Sequence, residues 1–363
     1  MPLSQFNPDN YSQLLDEKVA TTEHLFDGIV TLPKAEIFPS DSHHFRMRTE
    51  FKLWHDDDEL YYVMFHPNAP KTPVRIDQFP IAGKAINDLM PKLIEKIKYQ
   101  PRLRHRLFQI EFLSTLSGDM LVTMIYHRQL DDAWIEEAKQ LKAELNINII
   151  GRARKMKICL DTDYVIEKLP LAAGEFEYKQ IEGGFTQPNA KMNCNMINWA
   201  MQATADNGGD LLELYCGNGN FTIPLSRQFD KVLATEISKT SVNAAQYNIA
   251  VNHVDNLNIV RMASEEFTQA LNKEREFRRL KDIQLDDYNF STILVDPPRS
   301  GLDDETIKLV QRFDNIVYVS CNPHTLAENL KTLGQSHEVV KLAFFDQFPY
   351  THHMETGVCL KKR

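Results

Sequence analysis

Several segments of the chain carry residue types that could take part in catalysis, and one cysteine stands out among them. Cys321 follows the apolar, β-branched run Ile316–Val319 and precedes Asn322-Pro323. Proline cannot donate to a sheet and favours the first turn of a helix, so the strand must end there. The thiol is thus predicted at the carboxyl end of a strand and near a helix N-terminus, which lowers a thiol pKa. Position alone fits a packed core cysteine equally well.

A glycine loop is the second segment of interest. Asp210–Asn220 runs from a predicted strand directly into a turn that contains Gly217 and Gly219. Glycines at such a turn let the backbone approach a ligand closely. Thr222 stands where a dinucleotide site has its third glycine, so an S-adenosylmethionine site fits better than an NAD site. Glu236 ends the next predicted strand. Its spacing from Gly219 is a little under the ~20 residues that separate the glycines from the ribose-binding acid in nucleotide sites. A tight turn without a ligand is the alternative.

Asp296 opens a loop that is stiffened by two prolines and ends at Arg299. The Asp296 carboxylate is placed to accept hydrogen bonds from a polar ligand. Related loops in base methyltransferases carry an aromatic residue where this chain has Arg299, which argues against methylation of an exocyclic amine and leaves carbon methylation open. A rigid junction between strand and loop is the alternative.

Three other polar positions are candidates for the same site. Gln187 precedes a predicted helix and could reach the polar end of a cofactor, or serve only as a helix cap. Glu355 lies where the chain re-enters the sheet and could act as a general base. His352 and His353 invite a metal site, but they lack the usual ligand spacing, and a solvated or supporting role suits them better.

These positions require a parallel sheet. From about residue 187 onward, predicted strands alternate with helices, the pattern of a doubly wound α/β fold. The predicted strands are 210–215, 231–236, 257–261, 291–295, the strand ending at Ser320, 338–345 and 356–361. We therefore expect a Rossmann-like class I methyltransferase domain over residues 181–363.

The preceding part of the chain has a different pattern. Residues 1–37 read as an N-terminal helix with a connector, and residues 38–180 as an antiparallel α+β domain built from hairpins. Basic residues cluster at 92–106 and 152–157, and Arg46, Arg48 and Lys52 are predicted on one strand face. Charge runs are usually only solvated surface, but three in one domain favour an RNA-recognition surface.

Composition narrows the class of protein. The chain has 363 residues, a formal net charge of −9 and five cysteines, with no Cys-x-x-Cys pair. The cysteine spacing argues against disulfides and against a cysteine-only zinc or iron–sulfur site. The N-terminal residues lack the pattern of a signal peptide, and no apolar run could span a bilayer. We expect a reduced, cytoplasmic protein without a metal, an iron–sulfur cluster or a membrane partner.

Four motifs, ELYCGNGNF, DPPRSG, SCNP and HHMETG, make the chain resemble the RNA uracil-5-methyltransferase family. The segments HFRMRTEFKLWH and LFQIEFLSTLS are similar to the tRNA branch, which forms ribothymidine in the T-loop. The ribosomal-RNA branches carry an N-terminal cysteine cluster that this chain lacks. The likeness covers nearly the whole chain.

The resemblance implies a function. It implies methyl transfer from S-adenosylmethionine to C5 of the uridine at position 54 of tRNA, with tmRNA as a further substrate. Cys321 would add to C6 of uracil, and Glu355 would then remove the C5 proton. The residues implied to bind the cofactor are Gln187, Tyr215, Asn220, Glu236 and Asp296. The T-arm of tRNA is the implied partner, and no obligatory protein partner is evident.

Three alternatives remain at this point. A ribosomal-RNA uracil methyltransferase shares the C-terminal motifs. A cytosine-5 methyltransferase is disfavoured because its cysteine follows proline or threonine. An RNA-binding or RNA-folding module with secondary catalysis would not depend on Cys321.

Overall fold

A computed structural model describes residues 6–66 and 69–363 of the chain. The contacts within the chain divide it into two compact units. Of the described residues, the first unit comprises 6–9, Asp41–Lys168 and Lys179–Ala190, and the second comprises Asn10–Ser40, Leu169–Tyr178 and Lys191–Arg363.

The helices follow one another as α1 (Tyr11–His24), α2 (Lys84–Lys98), α3 (Pro101–Arg104), α4 (Asp132–Leu145), α5 (Ala190–Thr204), α6 (Thr222–Leu225), α7 (Lys239–Val251), α8 (Ser264–Leu271), α9 (Asp304–Val310) and α10 (Pro323–Leu333). Across residues 6–66 and 69–363, none of them combines the length and the apolar character that a membrane span requires.

The strands are β1 (Glu36–Phe38), β2 (Arg48–Asp56), β3 (Glu59–His66), β4 (Ala69–Ile76), β5 (Leu107–Ser114), β6 (Met120–Tyr126), β7 (Asn148–Ala153), β8 (Met156–Cys159), β9 (Tyr164–Leu171), β10 (Gly174–Ile181), β11 (Asp210–Leu214), β12 (Val232–Glu236), β13 (Leu257–Arg261), β14 (Phe290–Val295), β15 (Asn315–Ser320), β16 (His337–Phe345) and β17 (Glu355–Lys362).

The second unit is built on an eight-stranded sheet with the order β1-β16-β17-β15-β14-β11-β12-β13. Its pairs are parallel except that β17 runs antiparallel to both β15 and β16. All five residues of β11 are buried, including Asp210 and Glu213, because helices cover both faces of a parallel sheet. The Rossmann-like doubly wound α/β fold predicted from the alternating pattern is confirmed.

Helix α1 and strand β1 are part of this second unit rather than a separate N-terminal connector. Leu15 and Val19 of α1 belong to the same buried cluster as the apolar residues of the large sheet. Strand β1 adds a parallel edge strand, with Ile37 opposite Phe344. The segment predicted at 1–37 is therefore not separate: residues 10–40 pack into the core of the second unit, whose central strands begin only at Asp210. Long-range packing of this kind leaves no local signal.

The first unit contains a seven-stranded sheet with the order β4-β3-β2-β5-β6-β7-β8. Neighbouring strands are antiparallel except for β6 and β7, which α4 connects in parallel. Asp131 caps α4 by accepting from the Trp134 backbone N–H at 2.9 Å. The antiparallel pairs β2–β3 and β5–β6 agree with the hairpins expected for this part of the chain. The separate β9–β10 hairpin was not predicted.

Gly357→Ala should destabilise the second unit. Gly357 lies in β17, and an added Cβ would come within 2.7 Å of Trp199 Cζ3 and 3.1 Å of Phe345 Cε2. Overpacking of this kind costs about 1–3 kcal/mol of unfolding free energy, which urea denaturation would measure. As a control, Gly83→Ala places its Cβ no closer than 3.5 Å to any neighbour. Equal losses in the two variants would contradict the steric explanation.

Candidate active site

The cysteine turn has the geometry that the sequence predicted. Strand β15 ends at Ser320, and Asn322 is the N-cap of α10, its Oδ1 accepting from the His324 backbone N–H at 3.3 Å. The Ser320 hydroxyl donates to the Asn322 carbonyl at 3.1 Å and accepts from its N–H at 3.2 Å. Cys321 is held between these two residues and stays half-buried. A ligand can therefore reach the thiol at the edge of the sheet.

Arg299 connects this turn to two other motifs. Its backbone carbonyl accepts from Asn322 Nδ2 at 2.9 Å and from Thr325 Oγ1 at 3.4 Å. Its guanidinium Nη2 donates to His353 Nδ1 at 2.9 Å, which leaves the imidazole proton on Nε2. His353 lies two residues before Glu355. The DPPR loop, the cysteine turn and the segment before Glu355 thus meet at one residue.

Glu355 is the first residue of β17, and its backbone stands opposite Phe345. Its side chain is only 5% exposed. Burial, followed by the charge of Asp296, raises the pKa of Glu355 to about 8, while Arg299 opposes the shift. A carboxyl whose pKa lies near neutrality can both accept and release a proton at physiological pH.

The environment of Cys321 corrects one expectation from the sequence. The nearby N-terminus of α10 was expected to lower the thiol pKa. Burial instead raises the pKa of Cys321 to about 11, with Glu355 and then Asp296 adding to the rise and Arg299 opposing it. Desolvation and two carboxyls outweigh the helix end because both disfavour a second negative charge in the same pocket.

Asp296 completes this electrostatic group. Burial raises the pKa of its carboxyl to about 7. The charge of Asp296 in turn raises the pKa of both Glu355 and Cys321. Neighbouring acids with shifted pKa values are a mark of functional sites rather than of ordinary surface.

The glycine loop follows β11 with a strained backbone. Tyr215 adopts a φ of 63°, and Gly217 and Gly219 adopt 57° and 85°. A tyrosine in this region is strained, and such strain concentrates at ligand sites. Glu236 anchors the loop, since its Oε2 accepts from the Gly217 N–H at 3.0 Å and its Oε1 from the Ser238 N–H at 2.7 Å.

A cavity of about 380 Å³ opens beside this loop. Its lining includes Tyr215, Glu236, Ser264 and Asp303. The Tyr215 and Ser264 hydroxyls lie 3.0 Å apart. The volume falls within the ~300–1,000 Å³ of small-molecule sites. Tyr215 and Glu236, two of the predicted cofactor residues, are therefore brought together around one cavity.

Asn220 makes hydrogen bonds through both its side chain and its backbone carbonyl. Its side-chain amide and that of Asn193 exchange two hydrogen bonds of 2.8 Å, and its carbonyl accepts from the Tyr178 hydroxyl at 3.0 Å. These contacts hold the end of the glycine loop, while the side chain has a further donor and acceptor capacity for a ligand.

Glu213, the first residue of the motif ELYCGNGNF, received no role of its own from the sequence and lies inside the buried strand β11. Burial raises its pKa to about 8, and its Oε2 has no hydrogen-bond partner within the described part of the chain. The available signal was an acid between the leucines of the buried run DLLEL. An unsatisfied buried carboxyl just before the glycine loop suits a polar or cationic ligand group.

Gln187 belongs to the first unit. The carbonyl of the following residue, Pro188, accepts from the Met47 N–H at 2.7 Å within that unit. Its predicted contact with a cofactor stays a prediction. Among residues 6–66 and 69–363, no group of three or more His, Cys, Asp or Glu side chains could hold a metal ion.

Comparison with known proteins assigns the chain to a family. The sequence profile described as tRNA (Uracil-5-)-methyltransferase matches residues 10–363. The chain belongs to this family. It is 53% identical over 370 residues to the tRNA/tmRNA (uracil-C(5))-methyltransferase of Photobacterium profundum, with 100% of both chains covered. It is 54% identical over 364 residues to the corresponding protein of Vibrio vulnificus, with 98% of both covered.

A solved structure supports the fold of this family member. The tRNA (uracil-54, C5)-methyltransferase of Pyrococcus abyssi, in complex with S-adenosyl-L-homocysteine, matches with a TM-score of 0.72 at 21% identity. The match covers 97% of this chain and 83% of the other. The chain is therefore a methyltransferase by family, with the fold expected from its sequence.

Glu355→Gln should change how stability depends on pH. Because the folded pKa of Glu355 is raised from 4.5 to about 8, this group favours folding fully below pH 4.5, progressively less above it, and not at all beyond about pH 8. Glutamine removes the titration. The unfolding free energy of the variant relative to the native chain should therefore rise by about 1 kcal/mol per pH unit across that window. Urea denaturation at several pH values tests this, and a constant difference would contradict it.

Proposed function

We propose that the chain transfers a methyl group from S-adenosylmethionine to C5 of the uridine at position 54 in the T-loop of tRNA. The observation that carries this proposal is the junction at Arg299, which joins the Cys321 turn, the Asp296 loop and the segment before Glu355. A nucleophile, an electrostatic partner and a proton acceptor then stand at one sheet edge. The family and the names of its curated members support tRNA as the substrate.

The residues present suit the methyl donor. Glu236 faces the cavity with a carboxylate that can accept from ribose hydroxyls, and Tyr215 lines the same cavity. The unsatisfied Glu213 carboxyl oxygen and Asn220 lie at the two ends of the glycine loop, where the polar tail of the donor would bind. Asp296 and Gln187 complete the proposed set. Bound S-adenosylmethionine supplies an electrophilic methyl group.

Cys321 begins the reaction in this proposal. Uracil C5 is a poor nucleophile until a group adds to C6. The Cys321 thiol gives its proton to solvent, the thiolate sulfur bonds to C6, and the C5=C6 electron pair moves towards the ring carbonyl as an enolate. The Arg299 guanidinium opposes the raised pKa of Cys321. Its positive charge stabilises first the thiolate and then the enolate. C5 can then accept the methyl group.

Glu355 ends the reaction. After methylation, C5 carries both the new methyl group and its original proton. The Glu355 carboxylate takes that proton, the C5–H electron pair re-forms the C5=C6 double bond, and the Cys321 thiolate leaves C6. Its pKa of about 8 makes it a stronger base than an ordinary glutamate. The products are 5-methyluridine, S-adenosylhomocysteine and the free enzyme, once Glu355 has returned its proton to solvent.

The first unit is proposed to hold the RNA. Lys52 Nζ lies 5.1 Å from the Phe65 ring centroid and 5.6 Å from that of Phe108, and Phe108 stacks on His127 at 4.2 Å. A cation beside stacked rings suits unpaired bases and phosphates. These residues support RNA recognition more directly than the predicted basic clusters do.

The predicted basic clusters are largely engaged in internal contacts. Lys98 pairs with Glu59 at 2.6 Å, and Arg152 pairs with Glu182 at 2.5 Å. Arg48 donates to the Gly184 carbonyl at 2.7 Å, and Arg46 lies outside strand β2.

The proposal extends to tmRNA as a second substrate, which the names of the relatives include. It also extends to a cytoplasmic location, where tRNA is processed.

The mechanism predicts a trapped complex with a T-arm stem-loop that carries 5-fluorouridine at the target position. Fluorine at C5 cannot leave as a proton does, so Cys321 should remain bonded to C6 after methyl transfer, as a denaturation-resistant complex on a gel. Cys321→Ala should form none, whereas Cys159→Ala, which changes an exposed cysteine, should behave like the native chain.

The same RNA with ordinary uridine at the target position tests the role of Glu355 as the proton acceptor. Glu355→Gln should form the covalent complex and release it slowly, by about 10²–10⁴-fold. Rapid normal turnover in that variant, or an adduct that survives Cys321→Ala, would refute the assigned roles. A ribosomal-RNA fragment methylated in preference to the T-arm would refute the substrate.

The rate of adduct formation should depend on pH. Because the pKa of Cys321 is about 11, its thiolate fraction near neutrality is small and increases with pH. The second-order rate constant with 5-fluorouridine RNA should rise about tenfold per pH unit up to about pH 9. A flat profile would indicate that another group takes the thiol proton before the reaction.

A further inference from the structure

A buried lysine of the N-terminal helix binds the loop that leads to Glu355. This loop, residues 346–354, connects β16 to β17. Lys18 Nζ contacts Asp346 Oδ1 in a short ion pair and donates to the carbonyls of Phe348 at 3.2 Å and His353 at 2.8 Å. An ammonium has three N–H donors, and here all three are used on the entry, middle and exit of one loop.

The carboxylate of Asp346 is held from a second direction. The Tyr11 hydroxyl donates to Asp346 Oδ2 at 2.9 Å and accepts from the Ser40 N–H at 2.7 Å. The Asp346 N–H donates to the Phe38 carbonyl at 3.0 Å. Two residues of α1, Tyr11 and Lys18, therefore fix where the loop begins.

The exit of the loop reaches the candidate active site. The His353 carbonyl binds Lys18, while its imidazole accepts from Arg299. Burial and the neighbouring cations lower the pKa of His353, which keeps the imidazole neutral and able to accept. Glu355 follows two residues later. A displacement of the loop would move Glu355, whereas Arg299 would stay bound to the cysteine turn through its backbone carbonyl.

Stability alone does not explain this lysine. Lys18 is 9% exposed, and burial lowers its pKa. A buried ion pair is often no more stabilising than apolar residues of similar size, because both charges lose their hydration. It does impose one geometry, since three acceptors and one ammonium fit together in a single arrangement.

We propose that Lys18 is a positioning residue for proton removal: it fixes the 346–354 loop so that Glu355 meets the C5 proton. The proposal rests on the proposed function of Glu355. Addition of Cys321 to C6 depends on the β15–α10 turn and should be affected much less.

The test separates the two steps in Lys18→Met. The rate of adduct formation with 5-fluorouridine T-arm RNA should stay within about threefold of the native chain, whereas tritium release from [5-³H]uridine RNA should fall at least about tenfold. The deuterium isotope effect with 5-deuterated uridine RNA should rise, because proton removal becomes rate-limiting. A general loss of folded protein would lower both rates equally, so it would change neither the ratio of tritium release to adduct formation nor the isotope effect.

Two further variants complete the test. Lys18→Met/Asp346→Asn leaves no unpaired buried charge, so it should fold like the native chain, yet its proton release should stay slow because the Phe348 and His353 carbonyls still lack their donor. Lys308→Met removes a lysine of an exposed pair with Glu305 and should leave both steps unchanged.

The possible outcomes are distinct. No adduct with the native chain would refute the proposed function itself. A native adduct together with equal losses of both steps in Lys18→Met, or normal proton release in the double variant, would overturn the positioning role and leave the proposed function standing.

Discussion

The hydrogen bonds of Arg299 hold together three parts of the chain that are far apart in sequence. Its carbonyl binds the turn after β15, and its guanidinium binds His353 before β17. This is possible because β14, β15 and β17 are adjacent in the sheet and the antiparallel β17 begins where β14 and β15 end. An antiparallel strand inserted into a parallel sheet thus places its first residue, Glu355, at the edge where ligands bind.

The surroundings of Cys321 disfavour its thiolate form. Burial raises the pKa of Asp296, Cys321 and Glu355, and the charge of Asp296 adds to the rise for the other two. Several negative charges close together in such a site are unfavourable. The protonation states of its acidic groups are therefore coupled, and the charge of one group affects whether another is ionised. Arg299 is the cation that opposes the shifts.

The N-terminal helix shows how remote segments support such a site. Helix α1 contributes Leu15 and Val19 to the core of the second unit, and Lys18 to the loop before Glu355. One face of the helix therefore serves both packing and positioning. Residues 10–40 and the large sheet form one unit for the same reason.

Local sequence determined much of this protein. The run VYVS before Cys321 and the proline after it dictated a strand end and a helix start, and the glycine loop with Glu236 dictated the turn at the first parallel strand. These features depend on backbone chemistry within a few residues. Tertiary structure alone decided the direction of the Cys321 pKa shift, the contact between Arg299 and His353, and the insertion of Lys18 into the 346–354 loop. Desolvation and long-range hydrogen bonds depend on which segments meet, and that is a property of the whole fold.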